Sequence, residues 1–207
     1  MVFFLGLITA YLLGSIPSAV WYGRIFFKID IREHGSGNAG ATNSLRTLGK
    51  KAGVIVLLLD FLKGYLAIQL ATLLAPYQDI VSKEWLQSIY GVMAIIGHLY
   101  PIFAQFKGGK GVATALGVIA AVNPWATLVC VAAFILIVLA TKYVSLGSLL
   151  AGVLFPIQLA VGLWGESPRA YILFGFGVFL LLVITHRENI VRLASGTENK
   201  FGAKKTV

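Results

Sequence analysis

Three segments of this sequence combine glycines with basic, hydroxyl and amide side chains, which are the groups that proteins use to bind phosphate. They read HGSGNAGATNSLR at residues 34–46, KGGKGVAT at residues 107–114 and HRENIVRLASGTENK at residues 186–200. Glycine lets a backbone approach a ligand closely, and successive N–H groups in such turns attract anions. The pattern predicts chemistry on phosphorylated molecules.

The first segment contains GSGNAG, which matches the dinucleotide-binding pattern GxGxxG. That pattern needs a βαβ unit of about 30 residues, and the apolar runs on either side leave no room for one. The dinucleotide interpretation fails, but the phosphate chemistry of the loop remains. An ordinary loop with helix-capping side chains is the alternative. The candidate ligands are Gly35, Ser36, Gly37, Asn38, Gly40, Thr42, Asn43, Ser44 and Arg46.

The second segment does not satisfy the Walker A pattern GxxxxGK[ST]. It places two lysines and three glycines where a helix begins, and the N–H groups and dipole of a helix N-terminus attract anions. Flanking charge beside a membrane span is the simpler alternative. The candidates here are Lys107, Gly108, Gly109, Lys110 and Gly111.

The third segment places His186 and Asn189 three residues apart, on one face of a helix. A solvated amphipathic tail would explain the charges of this segment but would not favour this pair. The three histidines of the chain are too scattered for a metal site, and the single cysteine, Cys130, excludes disulfides. We predict no metal and no cofactor.

The elements that must position these segments are membrane helices. The 207 residues are 58% hydrophobic and 12% charged, whereas a soluble domain is about a quarter charged. Long stretches contain no Asp, Glu, Lys or Arg, which is typical of membrane spans. The predicted helices cover residues 2–27, 53–76, 85–105, 111–122, 125–141, 144–164 and 169–185.

Residues 111–141 could form one span or two. A single helix of that length would be about 46 Å long, which exceeds a hydrocarbon core of about 30 Å. A turn at Asn123–Pro124 places fourteen basic residues on one side and leaves only Lys83 and Arg169 on the other. The fourteen are Arg24, Lys28, Arg32, Arg46, Lys50, Lys51, Lys107, Lys110, Lys142, Arg187, Arg192, Lys200, Lys204 and Lys205.

Because basic residues accumulate on the cytoplasmic side, we favour two spans. We predict an all-α, polytopic integral membrane protein with seven transmembrane helices, the N-terminus outside and the C-terminus cytoplasmic. It forms a single domain, residues 1–207, with the motifs in the cytoplasmic loops 28–52, 106–114 and 185–202.

Three ionisable residues are predicted to lie within spans. Asp60 and Lys63 are three residues apart on one helix face and can pair. Intramembrane charges are functional candidates, and a structural ion pair is the equal alternative. We expect His98 to be a hydrogen-bonded packing residue.

Together, GSGNxGxTNxxR, KGGKGVAT and HRxNIxRLxxGxE resemble the motifs of the acyl-phosphate-dependent glycerol-3-phosphate acyltransferases of bacterial membranes, the PlsY family. The likeness extends to GSIP at residues 14–17 and LDFLKG at residues 59–64. It implies transfer of a fatty acyl chain from acyl phosphate to the 1-hydroxyl of glycerol 3-phosphate. The products would be lysophosphatidic acid and inorganic phosphate, in the first acylation of phospholipid synthesis.

The resemblance also implies a multi-pass protein of the bacterial inner membrane whose active site faces the cytoplasm. Its partners would be acyl phosphate, glycerol 3-phosphate and the lipid bilayer, with no acyl-CoA, acyl carrier protein or nucleic acid. No histidine is followed five positions later by Asp, the pattern of the other large class of these acyltransferases. We therefore expect catalysis by positioning and electrostatic stabilisation.

The resemblance assigns roles to the candidates. Lys107 and Lys110 hold the second phosphate, while His186, Asn189 and Glu198 orient the acceptor. Either His186 or a substrate phosphate oxygen takes the hydroxyl proton. The side chains that bind the other substrate phosphate are Ser36, Asn38, Asn43 and Arg46. The implied catalytic residues are Ser36, Arg46, Lys107, His186, Asn189 and Glu198.

Two other function classes fit the composition. A membrane transporter of phosphorylated anions would also need basic, glycine-rich segments, although paired repeats are common in transporters and none is evident here. A basic membrane scaffold would fit the net charge of +9, since clustered juxtamembrane lysines attract anionic lipids.

Overall fold

The computed structural model describes residues 1–202, and this part of the chain is helical, without a β-strand. The all-α prediction is confirmed for these residues. Lys204 and Lys205, which contribute to the predicted charge asymmetry, lie outside them. The chain divides into two compact units, Met1–Val122 and Asn123–Val207, which we call the N-terminal and C-terminal units.

In the N-terminal unit one long helix packs against five other α-helices. This central helix, α4 (Lys50–Leu74), contacts α1, α2, α3, α5 and α6. Where it meets α6, a Cβ atom at Gly64 would collide with the backbone of Thr114, and one at Gly117 with that of Phe61. Small residues allow membrane helices such close approach. The helices are α1 (Val2–Gly14), α2 (Ser18–Tyr22), α3 (Ala41–Leu48), α4 (Lys50–Leu74), α5 (Lys83–Leu99) and α6 (Val112–Val122).

The first predicted helix, residues 2–27, is broken, so its prediction as one helix was wrong. α1 ends at Gly14, and the segment that resumes at Ser18 is bent from it by 42°. Pro17 causes the break, because proline lacks an N–H and disfavours helical geometry at the residue before it. The chain then continues as a π-helical turn, Gly23–Phe27.

The third predicted helix, residues 85–105, also ends early. α5 stops at Leu99, and Tyr100 takes φ −127° and ψ 66°, outside the helical region. Pro101 follows Tyr100 and explains this end in the same way. A short 3-10 turn, Ile102–Ala104, then leads to the second motif.

The C-terminal unit consists of three apolar helices and a short amphipathic one. α8 packs against α7 and α9, and α10 contacts both α8 and α9. The predicted interruption at Asn123–Pro124 is confirmed, because Asn123 caps α7 by accepting the N–H of Ala126 on its Oδ1 at 2.9 Å. The helices are α7 (Pro124–Thr141), α8 (Val144–Ala160), α9 (Arg169–Thr185) and α10 (Arg187–Ala194).

Several helices are suited to a membrane by length and composition. Among the described residues, three are long and apolar enough to cross one, namely Lys50–Tyr77, Lys83–Ala104 and Pro124–Thr141. The count rises to five if the bent pairs α1 with α2 and α9 with α10 each form one span. Two shorter apolar helices are α6 and α8. The number of seven spans therefore stays a prediction.

Candidate active site

The first motif forms a tight loop in front of α3. Gly35 and Gly37 take φ +64° and +73°, a region that favours glycine. Gly40 precedes the first helical residue, and α3 begins with no acidic residue in its first turn and no side-chain cap. The positive end of the helix dipole and its first N–H groups therefore lie at the end of this loop, as an anion site requires.

Asn43 holds the loop in this shape. Its side chain is buried, and Nδ2 donates to the carbonyl oxygens of Ile31 at 3.0 Å and His34 at 2.9 Å. Its Oδ1 accepts the N–H of Ser36 at 2.9 Å. Both amide hydrogens are thus used within the loop, and this geometry favours a positioning role for Asn43 over the predicted phosphate contact.

The other polar residues of the first motif are more accessible. The Ser36 and Thr42 side chains are exposed, while Asn38 and Arg46 are half-buried. Thr42 and Arg46 lie four residues apart on one face of α3. Ser44 instead is buried and donates to the carbonyl of Gly40 at 3.1 Å, as a helix residue does.

The second motif folds back over the end of α5. The N–H groups of Gly108 and Gly109 donate to the carbonyls of Leu99 and His98, at 3.1 and 3.2 Å. A Cβ atom at Gly109 would lie 2.8 Å from the carbonyl oxygen of Ala39, in the first motif. The two glycine-rich loops therefore adjoin within the N-terminal unit.

The cations of the second motif stand at the start of α6. Lys107 is exposed and Lys110 is half-buried. Gly111, with φ +82°, is the last residue before α6, and its carbonyl accepts the N–H of Ala115 at 2.7 Å. The segment thus has the predicted arrangement of glycines and lysines at a helix N-terminus.

A charged cluster that sequence reasoning did not single out ties the approaches to both loops together. Asp30 accepts hydrogen bonds from Arg24 and from the backbone and side chain of Arg32, at 2.7 to 3.0 Å. The Arg32 guanidinium also donates to the carbonyl of Ala104, just before the second motif, at 2.9 Å. The Arg32 side chain, more than any other group, holds the pKa of the Asp30 carboxyl far below its usual range.

In the C-terminal unit, His186 occupies the junction of α9 and α10, which are bent from each other by 65°. The residue is buried, and its Nδ1 lies 2.8 Å from the carbonyl oxygen of Leu182. A carbonyl only accepts, so we assign the proton of the neutral ring to Nδ1. Nε2 then carries the lone pair that a general base needs.

Glu198 anchors the third motif. Its Oε1 accepts from Asn189 at 2.6 Å and from Ser145 at 2.9 Å, and its Oε2 accepts from Arg192 at 2.8 Å. Burial raises the pKa of the Glu198 carboxyl, but the hydrogen bonds from these three residues outweigh it and leave the pKa below its ordinary value. Glu198 therefore holds Asn189 in place, and its predicted part in orienting the acceptor stays a prediction.

The segment after α10 reinforces this anchor. The N–H of Phe201 donates to the carbonyl of Lys142 at 2.7 Å, and the Lys200 ammonium lies 6.0 Å from the centre of the Tyr143 ring. This contact brings Glu198 to Ser145 at the start of α8. Nothing in the sequence marked Ser145, whereas Arg192 belongs to the third motif and could have been chosen.

The structure thus brings together the first two motifs in one unit and the members of the third motif in the other. Among residues 1–202 there is no group of three or more His, Cys, Asp or Glu side chains suited to a metal ion. In the N-terminal unit the two loops can bind phosphate oxygens through cations and through the N–H groups at the starts of α3 and α6. In the C-terminal unit the third motif can present a histidine nitrogen as a proton acceptor.

Comparison with known proteins agrees with these features. Residues 4–196 match the model of the family described as glycerol-3-phosphate acyltransferase. A protein of that name from Halalkalibacterium halodurans is 47% identical over 96% of this chain and 95% of its own length. Another, from Fusobacterium nucleatum, is 44% identical over 97% of this chain and 99% of its own length.

Solved structures agree as well. The crystal structure of PlsY, an integral membrane glycerol 3-phosphate acyltransferase, in its glycerol 3-phosphate form superposes with a TM-score of 0.84 at 42% identity. The match covers 97% of this chain and 96% of the PlsY chain. The lysophosphatidic acid form superposes with a TM-score of 0.83 at 41% identity, and that match covers 97% of this chain and 95% of the PlsY chain. The chain therefore belongs to the glycerol-3-phosphate acyltransferase family and is a membrane-embedded transferase.

Proposed function

We propose that this protein transfers a fatty acyl chain from acyl phosphate to the 1-hydroxyl of glycerol 3-phosphate. The hydroxyl oxygen bonds to the acyl carbonyl carbon, and the bond from that carbon to the phosphate oxygen breaks. The products are lysophosphatidic acid and inorganic phosphate. The observation that carries this proposal is the pair of adjoining glycine-rich, cation-bearing loops, because both substrates are phosphorylated.

In this reaction the two loops neutralise phosphate charge. Ser36 and Arg46 bind one phosphate from the first loop, and Lys107 and Lys110 bind the other from the second. Arginine offers a planar fork for phosphate oxygens, and lysine offers a compact charge. The backbone N–H groups at the starts of α3 and α6 add donors that need no side-chain ordering.

The third motif handles the acceptor. Asn189, held by Glu198, orients the glycerol hydroxyls, and Nε2 of His186 takes the proton of the attacking hydroxyl. A phosphate oxygen of a substrate is the other possible proton acceptor. Because phosphate is already a good leaving group, no covalent enzyme intermediate is needed.

The distribution of basic residues also supports a proposal for the orientation of the protein in the membrane. We propose seven spans with the N-terminus outside, so that the motif-bearing loops face the cytoplasm of the inner membrane. The distribution of basic residues supports this orientation. Both proposed substrates are anions, and the basic loops would attract them on the same side.

The donor can be tested directly. Purified protein in detergent is given radiolabelled glycerol 3-phosphate with palmitoyl phosphate, palmitoyl-CoA or palmitoyl acyl carrier protein at equal concentrations. We expect labelled lysophosphatidic acid only with palmitoyl phosphate. Equal product with palmitoyl-CoA would contradict the proposed donor. Uptake of the label into proteoliposomes without any donor would instead indicate the transporter.

A further inference from the structure

A buried charged cluster lies beneath the second motif, within the N-terminal unit. The Lys63 Nζ is 2.9 Å from the Asp60 Oδ1, and the Nδ1 of His98 is 3.6 Å from the same oxygen. The three side chains are only 5%, 2% and 6% exposed. They stand on α4 and α5, and none of them has a role in the reaction proposed above.

One end of the cluster is fixed at the break between α1 and α2. Lys63 donates to the carbonyl oxygen of Ile16 at 3.0 Å. That carbonyl lies where Pro17 interrupts the helix and also accepts the N–H of Ser18 at 3.0 Å. Lys63 thus satisfies a backbone group that the helix break leaves without its regular partner.

The other end of the cluster is the second motif itself. A Cβ atom at Gly109 would collide with Nε2 of His98, so the imidazole ring directly underlies this glycine. The carbonyls of His98 and Leu99 accept the N–H groups of Gly109 and Gly108. The position of the His98 ring therefore sets how closely the loop can approach α5.

A contribution to stability does not explain why these ionisable side chains are buried. A buried ion pair is often no more stabilising than apolar residues of the same volume, and charges within a membrane span are costly. A carboxylate beside an imidazole does fix the orientation and tautomer of the ring. Here Lys63 holds the Asp60 carboxylate, which faces Nδ1 of His98 at 3.6 Å and favours one orientation of the ring against the loop.

We propose that Asp60 and Lys63 fix the ring of His98, and that His98 positions the 107–111 loop so that its lysines reach the substrate phosphate. His98 is a positioning residue that does not touch the substrate. This inference rests on the proposed function, since it concerns the same phosphate site. It extends the function of that site to a buried cluster outside the three motifs.

The first test separates substrate binding from turnover. His98→Phe keeps a ring beneath Gly109 but removes the ring nitrogen that faces the Asp60 carboxylate at 3.6 Å. We expect the KM for glycerol 3-phosphate or for palmitoyl phosphate to rise about tenfold, with kcat within about threefold of the wild-type value. The control is Thr72→Val on α4, which removes the hydrogen bond that Gln87 on α5 donates to the Thr72 hydroxyl. Both residues are remote in sequence from the two loops. The KM values of this control should equal those of the wild type.

A second test asks whether the ring and the glycine act on each other. Gly109→Ala places a methyl group against His98, and His98→Ser removes the ring. If the loop rests on the ring, the double variant should raise KM by less than the product of the two single effects. This double-variant comparison does not use His98→Phe. It therefore still tests whether His98 positions the loop if His98→Phe does not fold.

Two results would overturn the inference while leaving the proposed function in place. One is wild-type KM values in folded His98→Phe, and the other is single effects that multiply in the double variant. The wild-type enzyme is measured in parallel. If it releases no phosphate in response to glycerol 3-phosphate, the proposed function fails and the effect of His98 on the loop is contradicted with it.

Discussion

At the scale of single residues, amides and carboxylates in the motifs serve the backbone as well as the substrate. Asn43 uses its whole side chain to hold the first loop, and Glu198 holds the third motif by accepting from Asn189, Arg192 and Ser145. Both residues are buried. Residues that position others can therefore be as necessary for the reaction as those that contact phosphate.

Glu198→Gln should lower kcat/KM about tenfold, because it weakens the hold on Asn189 and removes the nearer of the two carboxylates that pair with Arg192. The matched control is Glu188→Gln on α10, where the carboxylate is 73% exposed and lies 3.8 Å from Arg192. This control should stay within about twofold of the wild type. Equal activity of the two variants would contradict the positioning role of Glu198.

The lowered pKa of Glu198 predicts a stability effect with a defined sign. Since the folded-state pKa lies below the ordinary value of 4.5, the carboxylate stabilises the fold above that value. This stabilisation is lost as the pH falls through the folded-state pKa. In thermal unfolding in detergent, the wild type should be more stable than Glu198→Gln at pH 7, and the difference should shrink as the pH falls below 4.5. A difference that stays constant with pH would count against the ionised carboxylate.

Residue chemistry could be predicted from the sequence, but long-range partners could not. Glycine, lysine and histidine in the motifs indicated phosphate binding without any structure. The partner of Glu198 on α8 is 53 positions away, and no local pattern marks Ser145. Asn43 carries an amide that could bind phosphate or hold a loop, and only its three contacts separate the two roles.

At the scale of elements, α3 illustrates what local sequence leaves out. Residues 28–52 were predicted to form a loop, yet Ala41–Leu48 is a helix. Its sequence ATNSLRTL contains several weak helix formers. The helix packs against α4, where a Cβ atom at Gly53 would collide with Leu45. Tertiary packing stabilises this short helix, as is usual for helices of a few turns.

The first loop offers a test with a matched pair of glycines. Gly35→Ala would place a methyl group against Asn43 Oδ1 and 2.7 Å from Thr47 Oγ1, at φ +64°. Gly49→Ala meets nothing within 4 Å, at φ +95°. Backbone strain should cost Gly35→Ala about 1 to 2 kcal/mol of stability. It should cost Gly49→Ala about 1 to 3 kcal/mol, because Gly49 combines φ +95° with ψ 174°.

Only Gly35→Ala should also lose activity, by about tenfold or more, because it displaces the Asn43 side chain that holds the loop. Assays of lysophosphatidic acid formation with both purified variants give the comparison. Comparable activity in the two would show that the loop tolerates this displacement.

At the scale of the whole molecule, charge and hydropathy dominate. Apolar composition identified a membrane protein, and the outer surfaces of α7, with large exposed side chains such as Leu128, Leu136 and Leu139, suit lipid contact. The prolines at positions 17 and 101 explain the helix ends that hydropathy missed, because hydropathy does not register backbone geometry.

The predicted orientation can be tested with single cysteines. Cys130 is the only native cysteine, so Cys130→Ala gives a background without thiols. Asp79→Cys and Lys200→Cys then place one thiol in the segment before α5 or after α10. A membrane-impermeant maleimide added to intact cells should label the first variant and not the second. Labelling of both, or of Lys200→Cys alone, would contradict the topology.

The central claim is acyl transfer from acyl phosphate to glycerol 3-phosphate. The most direct measurement is phosphate release by the purified protein in detergent with palmitoyl phosphate, with and without glycerol 3-phosphate. We predict release that depends on glycerol 3-phosphate, with lysophosphatidic acid formed in equal amount. Folded protein that binds both substrates but releases no phosphate in response to glycerol 3-phosphate would contradict it.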